Sequence, residues 1–255
     1  MAVEAFVKMN VRGIVVKETR LVNGNMVVSI LTQTEGIISA FVRDSNKSKS
    51  SKTSLVQMFA YCDFTLFLGK SGYVIDEVEI IELFWDIKND ISVLTISQYF
   101  CELALALSPE KECSEDFLKL FLNSIFYLSK GRKDVEFIKL IFEMHSCALC
   151  GYMPNLVCCD ECKKYEDENM YFNISSANIL CENCADVCDN SFYQIKLTRG
   201  MVAALRHIVY SPVEKLFSFS LSDEALDILS DVSEKYIEYY VKPNFKTLEI
   251  YKKLR

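Results

Sequence analysis

Cys159-Asp160-Glu161-Cys162 and, eighteen residues further on, Cys181-Glu182-Asn183-Cys184 form two C-x-x-C pairs, and their reading decides the fold. Two such pairs separated by about 15–20 residues have the spacing of a four-thiolate zinc site. Two intervening residues let both sulfurs of a pair turn onto one ion. The long insert lets the second pair approach from the far side and complete a tetrahedron. Four thiolates leave no open coordination position, so Zn2+ at Cys159, Cys162, Cys181 and Cys184 is expected to hold structure and to do no chemistry. The competing reading is thiols or disulfides. Disulfides are rare in a reducing cytosol, and Met1-Ala2-Val3-Glu4 lacks the basic start and apolar run of a secretory signal. Among the 11 cysteines, Cys158, Cys188 and the third pair Cys147/Cys150 lie close enough to substitute for a ligand.

Working outward, 255 residues suggest one or two domains with a sizeable core. A hydrophobic share of 51% excludes general disorder, and no apolar run approaches the ~18 residues that span a bilayer. A cytoplasmic, nucleoid-associated protein is expected. The net charge of −7 argues against wholesale coating of DNA. A local basic strip stays compatible with it, because screening confines surface electrostatics to about 10 Å.

Residues 1–85 alternate and break like β structure. Strands are expected over 11–20, 26–32, 37–43, 55–68 and 73–84, with turns at Asn23-Gly24-Asn25, Glu35-Gly36 and Gly69-Lys70-Ser71-Gly72. Five short strands without an intervening helix suggest a small closed barrel that hides its own edges, an OB fold first among the candidates. Residues 86–255 read as helical, with the cysteine motif inserted at 155–190. Asp90, Ser114, Asp134, Thr198 and Ser222 stand where N-caps are needed, and 244–255 is a basic amphipathic tail. The fold class is therefore α+β, a five-stranded OB-fold β-barrel followed by an all-helical domain with an inserted four-cysteine, zinc-finger-like motif.

No catalytic constellation is visible. His145 and His207 lie on expected helices without a nucleophile pattern, and Gly69-Lys70-Ser71-Gly72 lacks the glycines of a P-loop. No enzyme activity is expected.

The order of these parts resembles the bacterial recombination mediator RecO family. Phe142-Glu143-Met144 through Gly151-Tyr152-Met153-Pro154-Asn155-Leu156 into Cys159-x-x-Cys162 is similar to that family's F-E-L-R-L-L-x-x-x-G-Y-x-P-x-L-x-x-C-x-x-C run. Arg12 to Thr19 resembles its R-G-I-V-L-K-T opening, Thr32-x-x-x-Gly36 its T-x-x-x-G turn, and Phe245-Lys246-Thr247-Leu248 its L-K-S-L ending. Departures are Asp44 within the basic stretch after the third strand, Lys163 for the glycine after the first pair, and His145 for an arginine. The resemblance places Cys147 and Cys150 at apolar helix positions, against the rival reading of a thiol oxidoreductase pair. It implies binding of single- and double-stranded DNA, annealing of complementary strands, and loading of RecA with RecR on gaps coated by the single-strand binding protein SSB, whose acidic C-terminal tail would seek a basic-mouthed pocket. Arg132, Lys133, Lys139, Arg199 and Arg206 are the cations available for such a mouth, and Lys246, Lys252, Lys253 and Arg255 cluster in the tail.

An OB barrel holds single strands by a positive groove and aromatic platforms. Arg43, Lys47, Lys49 and Lys52 in the loop after the third strand, extended by Lys17 and Arg20 on the first, are the candidate DNA contacts. The bland reading of that loop is ordinary solvated charge. The alternative function is a zinc-ribbon adaptor that binds only protein.

Overall fold

The computed structural model describes residues 8–21, 25–42, 55–69, 72–111, 114–186, 194–241 and 244–254. By packing, the chain forms two compact units: residues up to Lys130 together with Phe245–Arg255, and Gly131–Asn244. The change in sequence character falls earlier, near residue 85. The helices that follow it pack with the barrel's unit, and the chain returns to that unit at its end.

In the first unit, β1 (Lys8–Arg20), β2 (Met26–Thr32), β3 (Ile37–Val42), β4 (Ala60–Gly69) and β5 (Gly72–Leu83) close a barrel in the order β1-β2-β3-β5-β4. Four of the pairings are antiparallel, and β3 meets β5 in parallel at Ala40–Tyr73 and Phe41–Val74. This is the OB topology. The expected fourth strand begins late, at Ala60. The long first strand serves two neighbours: Lys8 to Ile14 pairs with β4, and Gly13 to Arg20 pairs with β2 across an irregularity between Val15 and Lys17. Such a bulge re-aims a strand. Gly13 allows the close approach there, since a Cβ would lie 2.5 Å from the Leu31 carbonyl oxygen. Alternation then fills the interior with Val11, Val15, Met26, Val28, Ile30, Ala40, Cys62, Phe64, Leu66 and Ile75.

Helices α1 (Ile91–Leu107) and α2 (Ser114–Lys130) belong to this unit. Asp90 caps α1 by accepting from Ser92 and Val93 N–H. Ser114 does something other than the expected capping. Its hydroxyl accepts from Gly36 N–H at 3.1 Å and donates to the Thr32 carbonyl, so it ties the start of α2 to the β2–β3 turn. Gly36 itself sits at φ +67, with the Pro109 carbonyl oxygen 2.5 Å from where a Cβ would be. That explains the T-x-x-x-G pattern physically. The C-terminal helix α7 (Lys246–Leu254) lies on α1, held by Phe245 edge-on to Tyr99 and by Thr247 donating to Glu102 at 2.8 Å.

The second unit is built round α3 (Val135–Leu149), capped by Asp134. This helix is enclosed along nearly its whole length. Every residue from Glu136 to Ala148 is buried, including Glu136, Lys139, Glu143 and His145. The cysteine-rich insert carries a sheet that pattern reading left unassigned: β6 (Asn155–Cys159), β7 (Asn169–Asn173), β8 (Asn178–Cys181) and β9 (Gln194–Thr198), in the order β6-β8-β7-β9. A single turn, α4 (Glu182–Ala185), follows β8, and α5 (Arg199–Tyr210) and α6 (Asp223–Tyr240) complete the unit, capped by Thr198 and Ser222 as expected. No helix among the described residues is long and apolar enough to cross a membrane.

Candidate metal centre and nucleic-acid face

Strands β6 and β8 run parallel, and each ends in the first cysteine of a pair. Beyond Cys159 the chain folds back: Cys159 N–H donates to the Lys164 carbonyl at 2.8 Å and Lys163 N–H to the Cys159 carbonyl at 3.0 Å. Beyond Cys181, the turn α4 brings Cys184 back toward the same point. The four Sγ atoms of Cys159, Cys162, Cys181 and Cys184 lie within 4.8 Å of one another. A tetrahedron with Zn–S of about 2.3 Å has edges of roughly 3.8 Å, so the cluster has the size for one such ion. The Cys162–Cys181 sulfurs are 3.5 Å apart, far beyond a disulfide bond. Cys158 is half-buried and outside the cluster, and Cys188 lies outside the described residues.

The clustered thiols perturb one another. Burial opposes ionisation of Cys159, but backbone hydrogen bonds from Cys181, Cys162 and Glu161 overcome it and bring the thiol down to about 6. Cys184 is pushed up to about 12, first by its hydrogen bond to Cys181 and then by burial. Burial also raises Cys181. Cys159 is thus eased toward the thiolate while Cys181 and Cys184 resist ionisation. Four closely spaced cysteines of this kind can hold a metal ion.

Three more of the described thiols behave as core. Cys62, Cys101 and Cys147 are buried, and burial raises each thiol, Cys62 to about 11. That disfavours the thiolate a redox pair at Cys147/Cys150 requires. Both histidines are structural in their contacts: His145 Nδ1 meets the Ile208 carbonyl at 2.7 Å, and His207 Nε2 meets the Lys215 carbonyl at 3.0 Å.

Lys17 and Arg20 are exposed on β1. Arg43, Lys47, Lys49 and Lys52 lie outside the described residues. The register adds groups that sequence reading missed. Lys17 faces Ser29 on β2, which faces Ser39 on β3, and the next rung but one is Thr19, Val27 and Phe41. Directly opposed residues share one face of a sheet. An ammonium, three hydroxyls and a half-buried aromatic ring therefore line one outer wall of the barrel. The opposite wall, formed by β1, β4 and β5, has a cavity of about 560 Å³ lined by Asn10, Arg12, Asp63, Thr65, Glu77 and Glu79. Arg12 is neutralised there by a two-point contact with Asp63 at 2.7 and 2.8 Å, so this wall is acidic.

The cations available for a partner pocket differ in their surroundings. Lys139 is wholly buried among Glu136, Glu143 and Glu234. Lys133 donates to the Phe219 carbonyl at 3.2 Å, Arg199 pairs with Glu166, and Arg206 binds backbone carbonyls. Arg132 is exposed, as are Lys252 and Lys253 on α7, and Arg255 lies outside the described residues. Lys246 opens the same helix.

Two family descriptions match in succession. Recombination protein O N terminal matches residues 7–84 and Recombination protein O C terminal residues 88–249. The chain belongs to the RecO family. Curated relatives agree. The chain is 31% identical over 242 residues to a DNA repair protein RecO of Acetivibrio thermocellus, covering 95% of each chain. It is 28% identical to that of Clostridium acetobutylicum, over 94% of this chain and 95% of the relative, and 25% identical to that of Caldicellulosiruptor bescii, over 94% and 96%. A role in DNA repair and recombination follows from RecO membership.

The RecO run before the first cysteine pair now has a physical reading. Gly151, at φ +87, ends α3, and Tyr152 N–H reaches back to the Cys147 carbonyl at 2.8 Å in a Schellman-type stop. Lys163 stands at φ +63 where the resembling pattern has glycine. A left-handed conformation costs a residue with a Cβ about 1–2 kcal/mol. Lys163→Gly is therefore expected to raise stability by about 0.5–1 kcal/mol in urea melts, part of the strain relief being offset by glycine's larger unfolded-state entropy. A loss of stability would mean that the lysine side chain, which contacts Asp160, outweighs the backbone strain.

Proposed function

We propose that this chain is a recombination mediator whose barrel binds single- and double-stranded DNA without sequence preference. In this reading it anneals complementary strands, works with RecR, and helps load RecA on gaps coated by SSB, whose C-terminal tail it engages. It uses no catalytic residue. Annealing requires two strands held together with their phosphate repulsion reduced. Zn2+ at Cys159, Cys162, Cys181 and Cys184 would be structural, since four protein sulfurs leave no position for substrate.

The observation carrying the reading is RecO membership along nearly the whole chain, joined to a barrel with one acidic and one hydroxyl-lined wall. A polyanion is repelled by Glu77 and Glu79 and is better received over Lys17, Ser29 and Ser39, with Arg20 exposed at the end of the same strand. Hydroxyls and lysines donate to phosphate oxygens, and Phe41 offers a stacking surface.

Fluorescence anisotropy with labelled single-stranded DNA tests this. Binding is expected at low salt for any base sequence and is expected to weaken steeply as salt rises. Lys17→Ala with Arg20→Ala should weaken it and flatten the log–log salt slope by about 0.7 per lost contact. No binding at low salt would remove the mediator reading and leave the zinc-ribbon adaptor.

A further inference from the structure

Arg206 is one of the cations available for the mouth of a partner pocket, yet its guanidinium faces inward. Its side chain is only 13% exposed. Nε donates to the Leu156 carbonyl at 2.7 Å, and Nη2 donates to the Val157 carbonyl at 2.9 Å and to the Tyr165 carbonyl at 2.7 Å. The group also lies 4.3 Å over the Tyr165 ring, with Nη1 3.8 Å from Glu166. The positions of these carbonyls are informative. Leu156 and Val157 precede Cys159 by three and two residues, and Tyr165 follows Cys162 by three. One guanidinium thus joins the incoming and outgoing ends of the loop that carries the first cysteine pair.

We infer that Arg206 is the positioning residue of the metal centre, fixing Cys159 and Cys162 through the backbone so that the tightness of metal binding depends on its fork of donors. This rests on the reading of the four cysteines as a metal site. Between its two ends the loop is held to β8 at Asp160, whose N–H donates to the Ile179 carbonyl at 2.9 Å and whose carboxylate accepts from the Asn178 amide at 2.9 Å. Between the same ends lie the Cys159–Lys164 and Lys163–Cys159 backbone bonds and the strained Lys163, and Cys162 is exposed. Neighbouring support comes from Tyr210, whose hydroxyl accepts from Leu156 N–H at 2.8 Å and donates to the Pro154 carbonyl at 3.1 Å. That bond holds only the incoming end. Arg206 alone, among the described residues, bonds both ends by side-chain donors. A planar guanidinium can serve three carbonyls at fixed angles, whereas a lysine ammonium on a flexible stem cannot. Groups that orient ligands from behind typically contribute 10–100-fold to metal affinity.

The test uses the full-length protein, Zn2+ and a chromophoric chelator in competition, with Co2+ absorption as a second readout. Arg206→Lys and Arg206→Met are expected to bind Zn2+ about 10–100-fold more weakly and to alter the cobalt d–d bands, which report the tetrahedral arrangement of sulfurs. Tyr210→Phe should show a smaller loss in the same direction, and it keeps the test decisive if Arg206→Met does not fold. Arg199→Lys, a change at an exposed ion pair with Glu166, should leave affinity unchanged. Arg206→Lys with wild-type Zn2+ affinity and an unaltered cobalt spectrum would overturn the assignment, even if its melting temperature fell, and so would an equal loss in Arg199→Lys. A wild-type protein that takes up neither ion would remove the metal reading itself, an outcome distinct from a failure confined to the Arg206 variants.

Discussion

Chelating the metal, or replacing Cys181 with serine, is expected to lower the melting temperature of the full-length protein by about 10 °C. A ligand that binds only the folded state at ~1,000 times its Kd stabilises by about 4 kcal/mol. For a chain of this size each kcal/mol shifts the midpoint by roughly 2–4 °C. The isolated zinc-finger case, where metal supplies about 10–16 kcal/mol and the apo peptide is unfolded, sets the upper bound. This insert should fall well below that bound, because it has a core of its own. Leu156, Met170, Phe172, Ile179, Leu180 and Leu197 are buried on the β6–β9 sheet, and Phe172 packs on Tyr236 of α6 with ring centres 5.7 Å apart. The apo protein should therefore fold, with a loosened loop at 159–164 and a lower midpoint. Calorimetry with and without chelator, alongside metal content per chain, decides. Equal midpoints would show that the cysteines hold nothing that matters to the fold.

The parts of this architecture legible in the sequence are those set by local rules. A cap is a contact between residues two or three apart, so Asp90, Asp134, Thr198 and Ser222 announced their helices, and period-two alternation announced the barrel strands. The two cysteine pairs are equally local, and the structure brings all four sulfurs together. Non-local choices were not legible. Strands β6 to β9 have four or five residues each, and the parallel β6–β8 pairing is broken by a register shift, so no periodic signal could mark them. Ser114 carries a cap signature, but its hydroxyl serves a turn some eighty residues earlier in the chain. Arg206 and Lys139 look like surface cations on an amphipathic pattern. Only the fold shows that one clamps carbonyls and that the other is enclosed by carboxylates.

That enclosure makes Lys139→Met a severe substitution, with an expected loss of about 3–5 kcal/mol. Nζ lies 2.9 Å from Glu234, 3.3 Å from Glu136 and 3.5 Å from Glu143, and its side chain is 0% exposed. Glu143 also accepts from the Ser233 hydroxyl at 2.5 Å, on the facing helix α6. Burial pulls the lysine's pKa down, but Glu143, Glu136 and Glu234 together outweigh it and leave the ammonium held above its ordinary value. A raised folded-state pKa contributes stability that is fully present below the unfolded value of about 10.4 and is lost only as pH climbs past it. The wild-type protein should thus draw a constant contribution from Lys139 across pH ~6–9.

Methionine fills most of the volume but leaves three carboxylates facing one another without a cation. Mutual repulsion and burial then raise their folded-state pKa values. Carboxylates raised in the folded state favour folding at low pH and oppose it as pH rises through those values. The variant's deficit should accordingly be largest near pH ~8 and should shrink toward pH ~5, and Lys139→Met with Glu143→Gln should recover part of it at neutral pH. Urea titrations at about pH 5.5 and about pH 7.5 measure both effects. A deficit under about 1 kcal/mol, or one that grows on acidification, would show that the helix pair α3–α6 is held by its apolar packing and not by this buried charge.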